Sequence, residues 1–339
     1  MKVLPLLLIV VMVSCSEFPS NGTPDNVPVA HGSILVLDEA NGILRVLDPS
    51  TGRTADVATL DKSPTDIEID GGFAYIVHNG FGTAQSLIRI DLNGVLPALK
   101  VVFPDGSAPS ALKLAGGKIY IVFSGSNWLR VLDQSNPALT LTNIALAANY
   151  AYSLDLDSGY IYIADSGTFG SANGKLIALD RDDYSLAAQI ASLTNPQSVC
   201  AVQGMAYLAC TGVWNTTNWD TYAGYYDGGG LIGISAGLWN QAVLSNGLQF
   251  TAVKVSGGRL FCLDSGMGQS KLGLAVFSTN GAYITNVLGG KNFKGLDFDG
   301  AEIAVSEGYY GTKVYLVNIS NWTASEFGIP GTGDLAIYH

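Results

Sequence analysis

Three histidines, His31, His78 and His339, are the chain's supply of imidazoles, the side chain that titrates nearest neutral pH. None has a Ser or Cys at a nucleophile–base spacing. Gly228-Gly229-Gly230 follows a loop and precedes a strand, so no helix N-terminus is there to hold a phosphate. The chemistry on offer is that of recurring carboxylates and recurring rings. An Asp opens a repeated Asp-Ser-Gly at Asp165 and Asp264, with Asp38 and His78 at matching positions. Such residues either converge on a cation at a channel mouth or cap their own turns, accepting backbone N–H groups two residues on. Turn capping is preferred, because Phe123, Cys210 and Ser306 interrupt the series. A second series, Glu68, Lys113, Asp155, Ala201, Lys254, Asp297 and Ala336, alternates in sign with two gaps. Opposite charges side by side in a narrow channel satisfy one another, and an unpaired one there is costly. An ion-pair belt is expected; catalysis would need one carboxylate released from it.

Rings recur as well. Phe81, Trp128, Phe169, Trp214 and the pair Tyr309-Tyr310, with Met267 in the same role, each follow a loop glycine. The longest loop, Thr211 to Gly230, adds Trp219, Tyr222, Tyr225 and Tyr226 together with Asp220 and Asp227. Flat rings interleaved with Asn, Thr and Asp suit a sugar or a peptide, stacking on apolar faces while polar neighbours hydrogen-bond. One ring per repeat serves equally as a packing knob over the next repeat. The long loop exceeds that need, and loops beyond about 12–15 residues are often functional. The candidate ligand-binding residues are therefore Trp214, Trp219, Tyr222, Tyr225, Tyr226, Trp128, Phe169, Tyr309 and Tyr310. No catalytic, metal or cofactor site is expected.

A repeat must position these residues. Lys118 to Asp133, KIYIVFSGSNWLRVLD, is restated as AYIVHNG…SLIRID, YIYIADSG…KLIALD, AYLACTG…LIGIS, LFCLDSG…LGLAVFS and EIAVSEG…KVYLVNI. Leu35, Tyr75, Tyr120, Tyr162, Tyr207, Phe261 and Ile303 anchor the copies at a period of about 40 to 54 residues, the spacing of β-propeller blades. Before each anchor runs a strand that alternates apolar with polar residues, such as TDIEID, SALKLA and TAVKVS, closed by a Gly or Ser turn. A weaker, polar fourth strand suits an edge that must not pair with neighbours. The first copy, at Ser33, lacks its first strand, and Gly333 to His339 is a first strand with no second. The predicted fold is all-β: a seven-bladed β-propeller of four-stranded antiparallel blades, the last closed by both termini.

The chain of 339 residues is 48% apolar and 13% charged, with 17 basic residues against 28 acidic ones. A net charge of −11 without a basic cluster excludes nucleic acid as the expected partner. Lys2 and the apolar run Val3 to Val13 form a targeting segment, too short for a spanning helix of about 20 residues. Met12-Val13-Ser14-Cys15 resembles a bacterial lipobox, with Met12 where Leu is usual, which implies lipidation at Cys15. Residues 1–14 are thus read as a lipoprotein signal peptide, 15–32 as a flexible tether rich in Pro, Ser, Asn and Gly, and 33–339 as the propeller. Cys200, Cys210 and Cys262 show no metal spacing. Cys200 falls opposite Tyr207 or Leu208 across the Gln203-Gly204 turn, so a bridge to Cys210 is disfavoured.

The Tyr-Ile-Val/Ala-x-Ser-Gly figure followed by Leu-x-x-Leu-Asp resembles the YVTN-type repeats of bacterial surface and periplasmic propellers, and more loosely the NHL and quinoprotein-like groups. The resemblance covers Ser33 to His339 and implies an exported scaffold for binding. The expected protein is a lipid-anchored monomer of the bacterial cell envelope that binds a glycan, peptide or envelope protein through its loop face. The alternatives are a propeller enzyme (lyase, glycosidase or quinone-dependent dehydrogenase), which needs an unpartnered Asp155, Asp297 or His78 facing a pocket, and an assembly module, which needs a flat apolar face.

Overall fold

The computed structural model describes residues 29–80, 85–93, 99–168, 171–214, 226–264, 272–308 and 311–339. Each repeat becomes one four-stranded antiparallel sheet; the described residues form seven of them and no helix. In the second blade, the strand Lys118–Phe123 is buried from Ile119 to Phe123, as a continuous apolar run requires. Its outer strand, Thr140–Ala145, is mostly exposed. That gradient from apolar centre to polar edge is the one expected of a blade whose fourth strand meets water.

The apolar residues form seven clusters, each shared by two neighbouring blades. Tyr75, Val77 and Phe103 of the first blade, for example, meet Leu112, Ile121 and Phe123 of the second. No blade buries its own faces, so the ring must close. It does so as the termini predict: Leu335–Ile337 pairs antiparallel with Ile34–Asp38, Leu335 opposite Val36 and Ile337 opposite Ile34. His31 then stacks on Tyr338 with ring centroids 4.7 Å apart, and the Gly32 amide donates to the Tyr338 carbonyl at 2.7 Å. Gly295 of the sixth blade permits this closure. A Cβ there would stand 2.9 Å from the Leu335 nitrogen and 2.6 Å from Ser306 Oγ.

Seven inner strands line the central channel: Pro64–Asp70, Pro109–Ala115, Ala151–Leu156, Pro196–Val202, Phe250–Ser256, Phe293–Asp299 and Leu335–Ile337. Six of them begin with a β-bulge, between Pro64 and Asp66 in the first blade and at equivalent places in the next five. The extra residue breaks the strict alternation of faces. Thr65 and Asp66, or Ser110 and Ala111, therefore both reach the channel mouth.

Two expected registers are corrected by one residue. Cys200 lies opposite Tyr207, one of the two pairings read from the turn, and it, not Ala201, faces the channel as Glu68 does opposite Tyr75, while Ala201 packs between blades. Ala304, not Ile303, stands opposite Asp297 and takes the anchor position of the sixth blade. A strand's side chains alternate, so a slip of one residue exchanges the two faces. The described cysteines are free thiols, and the Cys200–Tyr207 register offsets Cys200 from Cys210 as expected.

Candidate functional site

The channel widens at the loop face into a funnel of about 420 Å³. The position after each bulge start supplies its rim with Thr65, Ser110, Tyr152, Gln197, Thr251 and Lys294, and Asn79, Thr211 and Asn292 add amides and a hydroxyl. One wall is aromatic: Tyr150 and Tyr152 stack with centroids 6.0 Å apart and planes 24° from parallel, 41% and 38% exposed. Asp165 holds that wall in place. Its carboxylate accepts the Asn149 and Tyr150 amides at 2.9 and 2.7 Å and the Gly167 amide at 3.0 Å. The last is the turn cap read from the sequence; the first two reach back along the blade-to-blade connection and fix Tyr150. Asp264 likewise accepts the Leu272 amide at 2.9 Å.

Below the rim, inner strands too splayed to pair are joined by side chains. Asp66 accepts the Leu112 amide at 2.6 Å, Ser153 the Val199 amide at 3.4 Å, Ser198 the Val253 amide at 3.3 Å and Asp334 the Ile67 amide at 3.4 Å. Each bond runs from one blade to the next. Two acids of this layer, Asp66 and Asp334, share the channel with Lys294. Burial, and then the charge of Asp334, push the Asp66 carboxyl well above its ordinary value. Lys294 pairs with Glu39, whose own pKa burial raises.

Asp66→Asn supplies the same acceptor to Leu112 and a permanent donor. An acid whose folded pKa is raised loses stability as pH climbs from its unfolded value, near 3.9, towards the folded one. The variant is therefore expected to melt higher than wild type at pH 8 and equally at pH 4. Thermal unfolding followed by circular dichroism across that range checks this; a lower melting temperature at pH 8 contradicts it.

Deeper still lies the belt of charges, around a cavity of about 400 Å³. Lys113 pairs with Glu68, and Lys254 pairs with Asp297 at 3.0 Å. Burial pulls the Lys113 ammonium down, but Glu68, Asp155 and Asp66 outweigh it, so the group stays firmly charged. Asp297 also accepts the Ile337 amide at 2.9 Å, and Asp155 accepts the Ala201 amide at 2.8 Å. The expected ion-pair belt is present, with Cys200 filling the place expected of Ala201.

The groups named for a channel enzyme are thus engaged or displaced. Asp155 and Asp297 have partners, and His78 is fully buried away from the funnel, 3.4 Å from Ser86 Oγ. Burial lowers its pKa to about 4 against the opposing charge of Asp61, so it is a neutral core imidazole.

Of the candidate ligand-binding residues, Trp128 alone lies where its side chain is described. It is 39% exposed at the outer rim of the loop face, away from the funnel. Cys15, Phe81, Phe169, Trp219, Tyr222, Tyr225, Met267, Tyr309 and Tyr310 lie outside the described residues. Trp214 and Tyr226 end a ladder that continues from Met205 and from Ser235, so part of the expected 211–230 loop is strand. Tyr150, Tyr152, Asp66 and Asp334 were not anticipated. Asp66 was legible as the residue two before Glu68 on the same face. Tyr150 and Tyr152 sit on a connection and a strand start, not behind a loop glycine.

These features define a seven-bladed propeller with a polar, carboxylate-lined channel opening as a funnel on its loop face. No protein-family model and no curated protein sequence matches the chain. Among solved structures it is similar to the computationally designed Ika8 protein, with a TM-score of 0.63 and 10% identity over 91% of this chain and 89% of that one. It is also similar to BamB from Moraxella catarrhalis, with a TM-score of 0.55 and 17% identity over 91% and 94% of the two chains. The dihydro-heme d1 dehydrogenase NirN, in complex with DHE, gives 0.60 and 12% over 92% and 76%. At these identities the likeness is one of fold.

Proposed function

We propose that this chain is an exported, lipid-anchored propeller of the bacterial envelope that binds a glycan through its loop face. The observation that supports it is the funnel: two stacked, exposed tyrosines opposite a rim of hydroxyls and amides. Pyranose rings present an apolar face to such a wall and hydroxyls to such a rim. The targeting segment and Cys15 support export and anchoring, and the acidic surface argues against nucleic acid. The test is a glycan array probed with wild type and with the Tyr150→Ala/Tyr152→Ala variant, both checked for an unchanged melting temperature. Selective binding that falls at least about tenfold in the variant, the effect of losing one or more stacking contacts, is the expected result. Binding that survives the double substitution moves recognition elsewhere on the face.

A second reading, a propeller glycosidase or lyase, is favoured by Asp66, its pKa raised by burial and by Asp334, under the funnel. Raised carboxyl pKa values accompany general acids. Turnover of an array-selected glycan that stops in Asp66→Asn and Asp334→Asn supports this reading; a bound but unaltered glycan supports the first.

A further inference from the structure

The repeat provides an internal comparison at its third strand. Ile43–Asp48, ILRVLD, and Trp128–Asp133, WLRVLD, place Arg45 and Arg130 at equivalent positions. In the seventh blade Asp38 lies opposite Ile43 and Asp56 opposite Arg45, and both carboxylates pair with the Arg45 guanidinium. In the second blade the two places are taken by Phe123, opposite Trp128, and Asn143, opposite Arg130. Arg130 keeps the position and loses both counter-charges.

What remains around Arg130 holds the group without neutralising it. Nε donates to Asn143 Oδ1 at 2.9 Å, and the guanidinium carbon lies 5.2 and 5.1 Å from the ring centres of Phe103 and Phe123. Among the described residues no carboxylate pairs with it, and its terminal nitrogens have no protein acceptor. Burial accordingly lowers its pKa with nothing opposing. The two rings, set edge to face with planes 88° apart, hold the guanidinium from two sides, and its terminal N–H groups are suited to a planar oxyanion. Arg130 lines a groove of about 280 Å³ together with Trp128, Asn143, Ser126 and the connection Pro104 to Ser107.

We infer that this groove is a subsite for a carboxylated sugar, in which the indole of Trp128 carries the pyranose face and Arg130 receives the carboxylate. Asp105, on the exposed lip of the same groove, selects among anions. It repels a bare polyanion and accepts hydroxyls, so a hexuronate, which offers both hydroxyls and a carboxylate, satisfies the whole lining. The groove opens on the same face as the funnel, but it stands on separate residues and does not depend on what the funnel binds.

Calorimetric titration of the whole protein with a galacturonic acid trimer and with the matching neutral galactose trimer tests this. Wild type is expected to prefer the acidic trimer at least about tenfold, the scale of one charge-assisted contact. Arg130→Gln abolishes the preference. Asn143→Asp rebuilds the counter-ion of the seventh blade, so it should abolish the preference while leaving the melting temperature unchanged or higher. Tyr150→Ala/Tyr152→Ala should leave the preference intact, which separates this subsite from the funnel. A wild type without preference, or a stably folded Asn143→Asp that retains it, overturns the assignment.

Discussion

Removal of Leu335 to His339 leaves no stably folded protein. Leu335, Ala336, Ile337 and Tyr338 are all at least 95% buried, and three of them form the inner strand that completes the seventh blade. Burying a Leu or an Ile contributes about 1.5–3 kcal/mol each. A domain's net stability is only about 5–15 kcal/mol. The deletion also strips the cluster in which Ala336 and Tyr338 pack with Leu35, Leu37 and Ile67, and it frees the Asp297 carboxylate from the Ile337 amide. A solenoid would fray at such an end; a ring loses two interfaces at once. The expected result is a chain without a cooperative urea transition at 25 °C. The milder Ile337→Ala is expected to unfold cooperatively with a loss of about 2–5 kcal/mol. A truncated chain with a wild-type midpoint would mean the ring does not depend on its C-terminal strand.

Arg45→Met destabilises the protein by about 3–5 kcal/mol at pH 7, the usual result of stranding a buried charge. Arg45 binds Asp38, Asp56 and the Pro330 carbonyl, so it ties three segments of the closing blade. Burial raises the Asp38 pKa, but hydrogen bonds from Asn41 and Arg45 and the Arg45 charge more than offset it, leaving the carboxyl below its ordinary value. An acid with a lowered folded pKa contributes stability above its unfolded value, near 3.9, and loses it as pH falls through the folded one. The deficit of the variant should therefore shrink below about pH 4, where Asp38 can protonate. Urea titrations at pH 7 and pH 3.5 read this directly; an equal deficit at both would assign the effect to packing.

Both effects concern the blade whose closure was legible before any coordinates. The Ser33 copy lacks a first strand and Gly333 to His339 lacks a second, and a ring of blades admits one way to combine them. Blade number was equally legible, because each strand class recurs with its own polarity. Register was not. Placing Ala201 and Ile303 one residue away from Cys200 and Ala304 changes no pattern of apolar residues visible along a single strand. It does reverse which side chain sees the channel. Counting back from the two-residue turn, where Val202 pairs with Met205 as Asp70 pairs with Phe73, settles Tyr207 over Leu208 as the partner of Cys200 and takes Ala201 out of the channel series. The funnel escaped for a different reason. Its tyrosines come from one blade's connection and strand start, its hydroxyls from the inner strands of other blades, and the sequence carries no short-range mark of that convergence. The exchange of Asp38 and Asp56 for Phe123 and Asn143 is likewise spread over three strands and appears only once the ladders are paired.

Recognition through the loop face is tested most directly by blocking one end of the ring at a time. Thr251→Cys places a thiol in the funnel, and Ser158→Cys places one on an exposed turn at the opposite end of the inner strands. Of the described native thiols, Cys210 and Cys262 are buried, and burial pushes Cys210 up to about 12 and Cys262 higher still; Cys200, which faces the channel, is changed to Ala in both variants. Each variant is coupled to a bulky maleimide and returned to the glycan that wild type selects on the array. Loss of binding with the label at Thr251 and full binding with the label at Ser158 is the expected result. Undiminished binding with the funnel blocked would contradict recognition at the funnel.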